Sequence, residues 1–156
     1  MKIKKLVQSF GYALRGIGYA VFHERNFRIH ICAAVTVIGF GAAYGLLLWE
    51  WAAVFLVIGA VIAMELINTA VEQTVDLVTD TWQEKARNAK DAAAGAVLVM
   101  AGASVALACV IFLDGERWGA LLWRIQSYLP WIGGAAFLYI ILMLWFVFYF
   151  PGKKGE

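Results

Sequence analysis

Proline and cysteine are scarce in this chain, with two of each in 156 residues. Pro130 and Pro151 fall at the start and the end of one apolar run, so no helix elsewhere meets a built-in breaker. Cys32 and Cys109 sit far apart inside apolar stretches, without Cys-x-x-Cys or Cys/His ligand spacing. That speaks against a disulfide framework or a zinc site, and both read as small buried hydrophobes. Charge is sparse too: 15% of residues, with a net charge of +2. Such a balance leaves no electrostatic footprint for nucleic acid. No GxxxxGK[ST] loop occurs, and Gly16-Ile17-Gly18 does not continue into a dinucleotide fingerprint. Any nucleotide site must therefore be built from helix side chains. The N-terminus lacks the clean apolar core of a cleavable signal, because Arg15 and Glu24 interrupt it. Internal repeats and low-complexity linkers are absent as well.

What the chain has instead is oil. Hydrophobic residues make up 63% and the mean hydropathy is +0.75, the composition of an all-α integral membrane protein. Residues 2–23 place Ile3, Leu6, Val7, Phe10, Leu14, Ile17 and Val21 at helical spacing, which predicts an amphipathic helix on the membrane surface. A first span is expected over Ile29–Leu48, a short turn at Trp49-Glu50-Trp51, and a second span from Trp51. Residues 80–91 read as a polar connection and Ala92–Leu113 as a third span opened by small residues. A polar connection is expected over 114–128. A fourth apolar segment then runs over Leu129–Phe150, closed by Pro151 and a Lys153-Lys154 tail. His23 and His30 flank the first span without ligand spacing and read as interfacial or headgroup contacts.

The stretch Met64–Asp80 carries the unusual chemistry. Glu65, Asn68, Glu72 and Asp76 follow one another at intervals of 3, 4 and 4, which confines them to a sector of about 80° on a helix. Ionised groups in a span cost about 2.5–3.5 kcal/mol each on insertion scales, so function is their default explanation. Glu65 lies about 21 Å along its span, near the depth of a lipid hydroxyl, whereas Glu72 and Asp76 emerge into water. Lys90-Asp91 opens the next span, whose small residues let it approach the acidic helix closely. Glu24 and Arg28 stand one turn apart, the spacing of an exposed ion pair. Arg28 is also a candidate lipid contact. Eleven of the thirteen Lys and Arg residues fall on one side of this topology. The positive-inside bias puts both termini, Glu24, Glu72, Asp76, Lys90 and Asp91 on the cytoplasmic face of the plasma membrane.

Carboxylates converging with a lysine suit a divalent metal on a polyphosphate, since magnesium is commonly held by one or two carboxylates plus substrate phosphates. Phosphoryl transfer mainly needs positioning and charge neutralisation.

At these residues the chain resembles a known family. Glu65-Leu66-Ile67-Asn68-Thr69-Ala70-Val71-Glu72, Val75-Asp76, and Ala89-Lys90-Asp91 with Ala93-Ala94-Gly95-Ala96-Val97 look like the signature of the small prokaryotic diacylglycerol kinase/undecaprenol kinase family. Glu24-Arg25-Asn26 and Thr74-Val75-Asp76-Leu77 are more similar to the undecaprenol kinase branch typical of Gram-positive bacteria. The resemblance covers about residues 1–113 as a kinase domain; residues 114–156, with the fourth span, depart from it. It implies a homotrimer of three-span subunits with composite sites, using ATP and Mg2+ to phosphorylate a lipid alcohol. By motif, Glu65 would activate the lipid hydroxyl with Asn68 in support, and Glu24 and Glu72 would hold the metal on ATP. Lys90 would contact the phosphates and Asp91 orient the nucleotide, beside Asp76. Lys5, Tyr12, Trp82 and Gln83 occupy positions next to it. Undecaprenol is the expected acceptor, and diacylglycerol the alternative. An ion or proton transporter is a third reading, against which the acidic groups gather at one face instead of crossing the bilayer.

Overall fold

The apolar spacing at the N-terminus does produce one helix, α1 (Lys2–His23). In the computed structural model, which describes residues 2–79 and 81–150, four more helices follow. They are α2 (Arg25–Tyr44), α3 (Leu48–Val78), α4 (Glu84–Phe112) and α5 (Gly115–Phe148). Segments in all four are long and apolar enough to cross a membrane. Asp80, Pro151 and the Lys153-Lys154 tail lie outside the described residues.

Several boundaries differ from expectation, each for a local reason. The first span starts and stops about four residues early. Gly45 ends α2 in the left-handed region (φ 83°), and its N–H and that of Leu46 both reach the Gly41 carbonyl, at 3.0 and 3.2 Å. Gly41 makes room for this turn, because a Cβ there would meet Leu46 Cδ1 at 2.6 Å. Trp49-Glu50-Trp51 is consequently the first turn of α3, not a loop. Glu50 Oε2 accepts from Leu47 N at 2.7 Å, satisfying a donor the new helix leaves open. Residues 115–128, expected as a connection, are helical. Asp114 caps them by accepting from Glu116 N at 3.1 Å, and α5 continues through Pro130.

The spans stand in a row. α3 packs on α4 and α2, and α2 packs on α5, while α2 and α4 make no backbone approach to each other among the described residues. A groove of about 260 Å³ results, floored by α3 and walled by α2 and α4. Phe112 lines it at the Gly45 end and meets Phe40 edge to face, with centroids 4.9 Å apart. The same end holds a buried apolar cluster of Tyr44, Leu46, Val54, Ile111 and Leu121. There α5 is fastened by ions: Arg117 Nη1 donates to Glu50 Oε1 and Oε2 at 3.0 and 2.8 Å, with Glu50 only 2% exposed. At the opposite end α1 turns onto α2 and α3.

Candidate active site

The acidic stripe of α3 and the Lys90-Asp91 pair of α4 lie toward the end of the bundle where α1 meets α2, which we call the Glu24 end. The chain passes from α1 to α2 through Glu24 alone, in extended conformation (φ −101°, ψ 113°). The elbow residue is thus itself an acid, placed at the start of a helix whose N-terminal dipole favours negative charge. Burial pushes its carboxyl above the usual carboxylate range, and the charge of Glu72 pushes it further. His23 and Arg28 oppose both effects.

The α3 stripe is ordered by depth. Glu65 is 3% exposed and Asn68 is also buried, Glu72 is half-buried and Asp76 is exposed. Over about 16 Å of helix the groups pass from interior to water. Asn68 Nδ2 donates to Glu72 Oε1 at 3.0 Å, whereas Asn68 Oδ1 is buried without a partner. A buried amide oxygen left bare costs about 1–3 kcal/mol, so it is poised for a cation or a donor. Glu24, Glu65 and Glu72 lie within electrostatic reach of one another. His30 Nε2 stands 4.0 Å from Glu65 Oε2.

His30 also lines the apolar groove, and Val61, one turn before Glu65, lines it too. The groove therefore leads along the span toward the buried acid. His30 was expected to be an interfacial or headgroup residue. Nothing local signals its meeting with Glu65, since the two lie on different helices 35 positions apart.

A second concavity, of about 230 Å³, opens where α3 gives way to α4. Asp76, Trp82, Gln83, Arg87, Lys90 and Asp91 line it. Lys90 Nζ reaches Asp76 Oδ1, so the expected approach of the lysine to the acidic helix is made. Asp91 instead pairs with Arg87 on its own helix at 3.5 Å. Trp82, 77% exposed, offers a ring face beside these charges.

Three expected residues are placed otherwise. Lys5 and Tyr12 lie exposed on α1 and line neither cavity; Arg15 covers the Tyr12 ring at 4.7 Å. Arg28 makes no ion pair with Glu24 among the described residues. Its guanidinium is buried and donates to the carbonyls of Val21, Phe22 and Val147. Those carbonyls outcompete Glu24 because helix ends leave them without partners. Cys32 and Cys109 are both free thiols.

Does this set fit a divalent metal? Among the described residues no three His, Cys, Asp or Glu side chains close around one point. Magnesium does not require such a cage: one or two carboxylates suffice when phosphate oxygens complete the shell. Glu24 and Glu72 lie within electrostatic reach of each other, and Asn68, bonded to Glu72 through Nδ2, keeps Oδ1 bare, so the chemistry of these oxygens suits such an incomplete shell. The donors fit.

Residues 11–112 match the profile of a family described as prokaryotic diacylglycerol kinase. An undecaprenol kinase of Bacillus subtilis (strain 168) is 45% identical over 112 residues, covering 72% of this chain and 91% of the relative. A diacylglycerol kinase of Synechocystis sp. is 45% identical over 101 residues, covering 64% of this chain and 58% of that protein. No solved structure matches significantly.

Proposed function

The chain belongs to the prokaryotic diacylglycerol kinase family, and from that premise we propose that it transfers the γ-phosphoryl group of ATP to the hydroxyl of undecaprenol at the cytoplasmic face of the plasma membrane. The observation that carries this reading is the apolar groove ending at His30 beside buried Glu65. A long-chain alcohol laid in the groove brings its hydroxyl to the one carboxylate at that depth.

Glu65 accepts the hydroxyl proton as the oxygen attacks the γ-phosphorus and the bond to the bridging oxygen breaks, with ADP as the leaving group. His30 lies close enough to hydrogen-bond to the carboxylate once the side chains adjust. Lys90, steadied by Asp76, offers its ammonium to the triphosphate from the second concavity, where Trp82 and Gln83 flank the nucleotide and Asp91 orients it. Glu24, Glu72 and Asn68 Oδ1 would hold Mg2+, which when bound offsets the charge of the phosphates. Lys5 and Tyr12 line neither cavity of their own chain, and a homotrimer with composite sites would offer them to a neighbouring chain's nucleotide.

The acceptor follows the more extensive of the two likenesses, 91% of the Bacillus subtilis enzyme against 58% of the Synechocystis one. Diacylglycerol is the competing substrate. Purified protein given labelled ATP with either lipid decides between them. Faster labelling of diacylglycerol overturns the acceptor, and labelling of neither overturns the kinase.

A further inference from the structure

The last helix ends where the first two meet. Arg28, 8% exposed, sits at that junction without a carboxylate partner among the described residues. Its Nη1 donates to Val21 O and Phe22 O at 3.0 and 3.3 Å, and its Nε and Nη2 both donate to Val147 O at 3.3 Å. Val21 and Phe22 belong to the last turn of α1, and Val147 to the last turn of α5. Carbonyls in those turns have no acceptor role inside their own helices, and a cation there also complements the helix dipole. One guanidinium thus caps two helix C-termini. Two ring contacts repeat the junction: Arg25 lies over Phe148 at 5.0 Å, and Phe22 stacks on Phe150 at 5.4 Å.

Glu24 lies in the middle of this arrangement. A one-residue elbow sets the direction of its carboxylate through its own φ and ψ, so any swing of α1 against α2 moves the acid. The contacts of Arg28, Arg25 and Phe22 with the end of α5 bracket that elbow on both sides.

We propose that Arg28 and the end of α5 are positioning elements for Glu24: the fourth span clamps the elbow and keeps this carboxylate facing Glu72. The proposal rests on the metal-holding role given to Glu24 above. It also gives a task to a helix beyond residues 11–112, the part that matches the family.

The full-length chain tests it in detergent micelles. Three variants are compared with the parent: Arg28→Gln, the pair Phe148→Ala/Phe150→Ala, and Phe137→Ala, a control at an exposed position on the same helix. Backbone hydrogen exchange over residues 20–27, measured without nucleotide or metal, is expected to speed up at least about tenfold in the first two and not in the control. The Mg2+ concentration for half-maximal kinase activity is expected to rise about three- to tenfold in the same two, with kcat changed less. Arg28→Lys, which keeps the charge but loses the fork, should fall between. Unchanged exchange at the elbow overturns the clamp. Faster exchange with an unmoved Mg2+ requirement reduces it to a structural tie and overturns the positioning role. A parent without kinase activity overturns the proposed function, and the positioning role with it.

Discussion

At the scale of single residues, burial separates the acids of α3, and the proposed tasks follow that order. Glu65, buried beside His30, is the group to lose: Glu65→Gln should cut turnover by about 10²–10⁴-fold while leaving the fold intact, as measured by kcat and thermal unfolding side by side. Wild-type turnover in that variant would remove the assigned base. Glu24 has a raised pKa, caused first by burial and then by Glu72. A carboxyl whose folded pKa is raised favours folding fully below its unfolded value, and that contribution fades as pH rises through the folded value. Metal-free protein should thus be held back at neutral pH by ionised Glu24, and Glu24→Gln should raise Tm there but not in acid. Since protons compete for the same oxygen, the Mg2+ requirement should grow as pH falls. Glu72→Gln, by removing the repulsion, should move that growth to lower pH. A titration curve that ignores Glu72 would uncouple the two acids. The α3 stripe and the Asp76–Lys90 approach were legible because each follows from helical spacing or from small residues at a helix contact. Arg28 was misread for a physical reason: i,i+4 spacing marks who can meet, not which stronger partner arrives from a distant helix.

At the scale of elements, turns and ion pairs decide how the spans join. Gly45 holds φ 83° at the end of α2. Gly45→Ala should cost about 1–2 kcal/mol through its left-handed backbone alone, measured by equilibrium unfolding. At the same end, Arg117 neutralises Glu50, which is withdrawn from solvent. Removing one member leaves an unpaired buried charge, whereas replacing both by neutral groups does not. Arg117→Met should accordingly lower Tm more than the double variant Glu50→Gln/Arg117→Met. Equal losses would mean the pair is not coupled. Hydropathy located four spans because it reads twenty-residue averages, but it could not see that residues 115–128 are helical. That stretch mixes charge with apolar side chains and is bracketed by Gly115 and Pro130, both of which argue for a break. Asp114 followed by Glu116 was the readable start signal.

At the scale of the whole molecule, a row of four spans leaves two broad apolar faces, and α4 and the apolar part of α5 are little buried within one chain. Lipid or neighbouring subunits must cover them. The proposed homotrimer should weigh three times 17.2 kDa of protein after subtraction of detergent, as read by light scattering. A monomer that phosphorylates lipid at the full rate would show one chain to be sufficient. Such inter-chain geometry leaves no mark on local periodicity. The junction of α5 with Arg28 carries a different lesson, because the partner gripped there is a main-chain oxygen. Any amino acid at position 147 presents that oxygen equally well. Deleting one residue upstream in α5, by contrast, turns the helix end by about 100° and draws it back by about 1.5 Å. Hence the tail of this protein should tolerate changes of spelling far better than changes of count, and relatives with an equally long last helix could share the fastening while sharing few of its letters.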